Sequence, residues 1–174
     1  LVISSLWMFI PNALIHSARP LIMASKNQDE DLYIKRNKQL YCSIIWIGIG
    51  ASIVITLFSK PIILLVYGDQ FIEAVHVLVI LIWSRIFALI GTVKSIWLTS
   101  ENLSKYLIIF VGIAAFVNVA LNLILIPKYG AIGAAIATLF AEVLSALFAN
   151  LFFKKTRPLF KLIIESILFK GVKD

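Results

Sequence analysis

Two charged side chains lie where charge is least welcome. Arg85 lies in IWSRIFALIG and Glu142 in ATLFAEVLSA, each well inside a run of apolar residues. An ionised group at the centre of a membrane-crossing helix costs about 2.5–3.5 kcal/mol even on the lenient insertion scales. Such residues face a partner or a polar cavity. A guanidinium offers five donors in a planar fork and binds phosphate or carboxylate through two of them at once. Arg85 can therefore line a cavity and bind an anion such as a phosphate. It can equally pair with Glu142 and lock two helices together. The residues alone support both readings.

Other polar groups fall at helical spacing. Asn12, His16 and Arg19 recur at i, i+4 and i+7, so they form one stripe on one helix face. That stripe reads better as a cavity wall than as a surface against lipid. Arg19, about one turn from the end of its segment, can also snorkel to headgroups, and the same holds more strongly for Lys94. His16 can titrate near neutrality, but one histidine is a thin basis for a proton path. Asn118 and Asn122 share a face; amides in lipid hydrogen-bond between helices, which makes packing their first reading and substrate or cation contact the second. His76 reads as interfacial. Cys42 is the single cysteine, so there is no disulfide framework, and a small apolar filler is the simplest role.

The elements that position these groups follow from composition. The chain has 174 residues, 61% of them hydrophobic and 14% charged. Soluble domains are about 45–50% apolar. This much apolar surface cannot be hidden in a water-soluble core of this size, so lipid must cover it. A helix needs about 20 residues to cross the hydrocarbon. Five such spans can be counted, at about 1–24 (interrupted by Pro11), 40–67 (kinked at Lys60-Pro61), 71–98, 106–126 and 131–153. The last two meet at Pro127-Lys128-Tyr129-Gly130, a turn so short that it predicts a hairpin. Gly130, Gly133, Ala134, Ala137 and Thr138 then let the two helices touch closely. Residues 154–174 form a basic tail whose LFKLIIESILFK portion either lies on the membrane surface or forms a short helix.

The net charge of +7 would suggest nucleic acid in a soluble protein, but here the cations sit between apolar runs. They set orientation instead, because cytoplasmic loops are enriched in Lys and Arg. With the tail inside, Lys26, Lys35, Arg36, Lys38, Lys105, Lys154, Lys155, Arg157, Lys161, Lys170 and Lys173 are cytoplasmic, and only Lys60 and Lys128 are external. Leu1 would then start outside. A protein with both ends in the cytoplasm would need an odd number of further spans upstream, and the sequence reads as the C-terminal part of such a protein. No nucleotide-binding loop, HExxH or Cys/His metal set, or GxSxG elbow occurs, and the loops are too short for a catalytic domain. The expectation is a non-enzyme without cofactor.

Four stretches carry a resemblance. They are PNALIHSARPLIMAS followed by YIKRNKQL; KPIILLVYGDQFIEAVHVLVIL; NVALNLILIPKYG; and AIGAAIATLFAE. Together they span nearly the whole chain except the tail, and the last two are the more specific. In these the chain resembles the C-terminal half of Wzx-type polysaccharide flippases, of the multidrug/oligosaccharidyl-lipid/polysaccharide exporter superfamily. The resemblance implies an all-α polytopic membrane protein. Its five transmembrane helices would be the C-terminal part of a twelve-helix, two-lobed transporter that rocks between inward- and outward-open states. It also implies flipping of undecaprenyl-pyrophosphate-linked oligosaccharide for O-antigen or other polysaccharide synthesis at a bacterial inner membrane, beside polymerase and chain-length partner proteins. A cationic cavity would suit Arg85 and Arg19. The alternatives are a drug/cation antiporter of the same superfamily, for which only Glu142 speaks, a membrane-embedded polysaccharide polymerase or acyltransferase, and a purely structural membrane subunit.

Overall fold

A computed structural model describes residues 3–171 of the chain. Leu1 and Val2, at the start of the expected first span, and Lys173, in the basic tail, lie outside the described residues. The described residues are helical, joined by short turns. The helices are α1 (Ile3–Leu6), α2 (Phe9–Lys26), α3 (Glu30–Leu57), α4 (Ser59–Tyr67), α5 (Ala74–Ser100), α6 (Lys105–Ala146) and α7 (Arg157–Ile167).

Among the described residues, three helices are long and apolar enough to cross a membrane: Glu30–Leu57, Ala74–Ser100, and α6 with its continuation to Leu151. The third doubles back. Gly130 adopts φ 55° and ψ −131°, a conformation closed to most side chains, and Pro127 removes a backbone donor just before it. Contacts across the bend show the reversal. Asn118 meets Thr138, and the Ser145 hydroxyl lies 3.5 Å from the Phe110 carbonyl oxygen. The midpoints of both pairs fall at or beside Lys128. In a straight helix residues 110 and 145 would stand about 50 Å apart. The expected hairpin at Pro127–Gly130 is therefore present, as two limbs of α6.

The start of the chain departs from expectation. The 1–24 segment divides at Trp7-Met8 rather than at Pro11, which sits buried in the first turn of α2, where a missing N–H is harmless. Pro20 lies inside α2 and deprives the His16 carbonyl of its intrahelical donor. The 40–67 segment also divides earlier than Lys60-Pro61. α3 ends at Leu57, α4 starts at Ser59, and Pro61 again occupies a first turn. The start of α3 is set locally. Asp29 is extended and its side chain accepts from the Asp31 N–H at 2.9 Å, while Glu30 and Asp31 add negative charge where the helix dipole favours it.

α5 is the hub of the bundle. It packs against α1, α2, α3, α4 and α6, and Ile82, Leu89, Val93 and Leu98 along it are buried. The outside of the molecule is apolar. Phe9, Leu65, Ile108, Phe116 and Leu123 are all more than two-thirds exposed, which only a lipid or protein covering accommodates.

The two ends of the bundle differ. At one, Lys26 bonds Glu30 and Glu101, Tyr33 bonds Ser100, and Lys38 bonds Glu165. The 25–39 and 99–105 loops and the tail thus gather on one side, as the distribution of Lys and Arg predicts. At the other end a cavity of about 470 Å³ brings Glu73 and Ala74 against Tyr129 and Gly130. The tail forms a short helix rather than a free strand of charge. α7 lays Leu159, Leu162, Ile163 and Ser166 against the bundle, chiefly α3.

Candidate functional site

The hub helix carries two cations. Arg85 lies near the middle of α5 and Lys94 nine residues further on, about 13 Å along the axis and on the opposite side of the helix. Arg85 is half-buried. Its Nη2 reaches the Ser4 hydroxyl of α1 at 3.5 Å, a long contact, and its buried Nε has no hydrogen-bond partner. Among the described residues no carboxylate lies within 4 Å of it, so the Arg85–Glu142 brace is not closed. Glu142, half-buried on the second limb of α6, is nonetheless within Coulombic reach of both Arg85 and Lys94.

Lys94 corrects the snorkelling expectation. It is 3% exposed, its ammonium donates to the Ser145 carbonyl, and it stands 4.4 Å from the centre of the Phe110 ring. The physical reason is position. Ser145 lies in the last turn of the second limb, where carbonyls lack intrahelical donors and the helix dipole favours a cation. Phe110 lies on the first limb, so one ammonium ties both limbs to α5, with the ring face adding a cation–π attraction. Lys94 is the functional candidate that the sequence reading missed. A signal was there, because residues 86, 90, 93 and 97 recur at helical spacing on the core face and 94 falls among them.

The remaining candidates form separate groups. Asn122 donates to Asn118 at 2.9 Å, Asn118 faces the Thr138 hydroxyl at 3.5 Å, and Thr138 donates to the Ala134 carbonyl at 2.9 Å. This polar chain bridges the two limbs, the packing role that amides take in lipid. The Asn122 Oδ1 is buried without a partner. On α2, Asn12 is half-buried and His16 and Arg19 are exposed, beside the packed face of Pro11, Ile15 and Ile22. No hydrogen bond or ion pair joins this stripe to Arg85 among the described residues. His76 is exposed at the start of α5, and Cys42 is buried in α3.

A cavity of about 700 Å³ opens at the basic end, between α3, the α5–α6 turn and α7. Tyr33, Trp97, Lys38, Lys161 and Glu165 are among its lining residues, and Arg85 and Glu142 are not. Among the described residues no group of three or more His, Cys, Asp or Glu is arranged to hold a metal ion. No protein-family model, curated protein or solved structure matches the chain.

Proposed function

We propose that this chain is part of a membrane transporter that flips an anionic, lipid-linked oligosaccharide between leaflets. The resemblance points to an undecaprenyl-pyrophosphate carrier as the lipid, moved by alternating access in a twelve-helix, two-lobed protein of the bacterial inner membrane. In this reading α2, α3 with α4, α5 and the two limbs of α6 are its last five spans, and the basic end faces the cytoplasm. The observation that carries the reading is the state of Arg85. A cation at mid-helix on the hub of the bundle keeps its Nε without a partner, and among the described residues no carboxylate lies within ion-pair distance of it. That arrangement suits a visiting pyrophosphate, which accepts charge-assisted hydrogen bonds from a guanidinium fork.

The balance of charge supports an anionic cargo over a cationic one. Arg85 at mid-helix carries positive charge with no carboxylate closed on it among the described residues, so a drug/cation antiporter would meet repulsion there. The stripe of half-buried Asn12 and exposed His16 and Arg19 suits a second wall of the path, and in this reading that face of α2 looks toward the opposite lobe rather than toward lipid.

The test is surface-glycan display in cells that depend on this protein. Arg85→Ala is expected to reduce display at least tenfold at unchanged protein level in the membrane, with partial recovery for Arg85→Lys, which keeps the charge and loses the fork. Normal display with Arg85→Ala would remove Arg85 from the mechanism.

A further inference from the structure

We infer that the cavity of about 700 Å³ at the basic end is a site for an anionic lipid, with the headgroup phosphate at Lys155 and Lys161 and the adjoining hydrocarbon against Trp97 and Leu103. The site does not depend on the cargo proposed above. Arg85 lies twelve residues before Trp97 on α5, about 18 Å away along the axis, and takes no part in the cavity.

The level of the cavity follows from its walls. Tyr33 lies in the first turn of α3 and Trp97 in the last turn of α5, each three residues from the end of its helix. Those helices have 28 and 27 residues, more than the roughly 20 that cross the hydrocarbon, so their ends reach the headgroup region. Tyrosine and tryptophan, each with an apolar body and a polar edge, favour that depth. The other wall is α7. Pro158, Lys161, Leu162 and Glu165 recur at i, i+3, i+4 and i+7, so one face of this amphipathic helix lines the cavity.

The charges leave a place for an anion on the α7 side. Three carboxylates line the cavity, and each is already held. Lys26 reaches Glu30 at 3.0 Å and Glu101 at 2.7 Å, and Lys38 reaches Glu165 at 2.7 Å. The two lysines beside α7 are freer. Lys155 is exposed and has no ion pair among the described residues. Lys161 stands 3.7 Å from Glu165 with its side chain 80% exposed, a pairing that holds it weakly. With Lys26 counted, four lysines meet three carboxylates, and the excess positive charge lies at Lys155 and Lys161. A soluble phosphate would use these two cations and leave the apolar wall of Trp97, Leu103 and Leu162 uncovered. A lipid phosphate uses both, because hydrocarbon follows the headgroup into the cavity. Basic pockets beside membrane helices recognise anionic headgroups in this way.

The test is lipid binding by the purified protein in a neutral detergent, read by native mass spectrometry. Dioleoylphosphatidylglycerol is the anionic probe and dioleoylphosphatidylcholine the zwitterionic one. The anionic lipid is expected to bind about tenfold or more tightly than the zwitterionic one, and to slow hydrogen exchange across Arg157–Ile167. Each lysine near an anionic lipid contributes about fivefold, so Lys155→Gln with Lys161→Gln is expected to weaken its binding about tenfold or more. Lys60→Gln with Lys128→Gln removes the same charge at the opposite end and should leave binding unchanged. Leu103→Trp fills the cavity from the α5–α6 turn without altering charge or touching α7, and should abolish the preference for the anionic lipid. Equal binding of the two lipids would overturn the site, and so would equal losses in the two double-lysine variants or a preference that survives Leu103→Trp. Inorganic pyrophosphate is the soluble arm. If it binds as tightly as the anionic lipid and displaces it, the lysines serve a soluble anion and the lipid site is overturned. Arg85→Ala is expected to leave lipid binding intact, so failure of this site and failure of the transport reading are told apart.

Discussion

Gly133, on the second limb of α6, lies hard against the backbone of the first limb at Leu125, and its substitution tests the hairpin directly. A Cβ built there would collide with the Leu125 carbonyl oxygen and would stand 2.6 Å from the carbonyl carbon and 3.1 Å from the Ile126 nitrogen. These are backbone atoms, which cannot rotate away. Carbon atoms normally rest about 3.5–4.0 Å apart, so Gly133→Ala requires the limbs to part by about 1 Å. The movement would stretch the Asn118–Thr138 contact, already at 3.5 Å, beyond hydrogen-bond range. Overpacking of this kind costs about 1–3 kcal/mol.

Alanine also favours helix over glycine by up to about 1 kcal/mol, which would mask part of the effect. Gly112, on the first limb of the same helix, removes that ambiguity. It is exposed, and an added Cβ would meet nothing within 4 Å. Gly112→Ala carries the propensity gain without the collision. The difference in unfolding free energy between the two variants therefore isolates the close approach and is expected at about 1–3 kcal/mol, with Gly133→Ala the less stable. Reversible unfolding in mixed micelles measures it. Equal stability of the two variants would mean that the limbs do not pack at Gly133, and the hairpin register would have to be redrawn.

Two further outcomes bear on the basic end and on topology. The hydrogen bond from Lys38 holds the Glu165 carboxyl below the usual carboxylate range. A depressed folded value means that the contact stabilises α7 fully above the unfolded value of about 4.3 and is lost as the pH falls through the lower folded value. Glu165→Gln should thus speed hydrogen exchange across Arg157–Ile167 at pH 7, with the gap from the unaltered protein closing in acid; a gap constant down to pH 3 would show that the ion pair does not dock the helix. For topology, with Cys42→Ala as background, cysteines at Asn102 and Lys155 should react with an impermeant maleimide only from the cytoplasmic side, and those at Gln70 and Tyr129 only from the outside. Labelling of Asn102 and Lys155 from opposite sides would break the arrangement of the spans.

The features read easily from sequence were those that follow from length and local chemistry. The hairpin was legible because Pro127 and Gly130 sit three residues apart between two apolar runs, and the conformation at Gly130 is one that glycine tolerates. The common end of the two basic loops and the tail was legible because cations cluster there. Proline was a poorer guide. Pro11 and Pro61 were read as interruptions, yet each lies in the first turn of a helix, and the actual breaks come two to four residues earlier. A proline marks where a helix can begin as readily as where one fails, and only the register of the preceding residues separates the two.

The site was harder because it depends on which faces of different helices meet, and no local signal fixes that. Arg85 and Glu142 announced themselves as charges in apolar runs, but whether they touch could not be read, and among the described residues they form no ion pair. Lys94 shows the same difficulty in reverse. Its distance from the helix end made snorkelling plausible, since a lysine side chain can reach headgroups from about a turn inside. What draws it inward is the end of a helix that lies fifty residues later in the chain, whose carbonyl at Ser145 needs a donor, with Phe110 beside it to shield the charge. A buried cation is tolerated where the fold supplies a helix C-terminus and a ring face together. The place of this cation is thus set by the packing of the hairpin on α5, a meeting of helix faces that no local stretch of sequence displays.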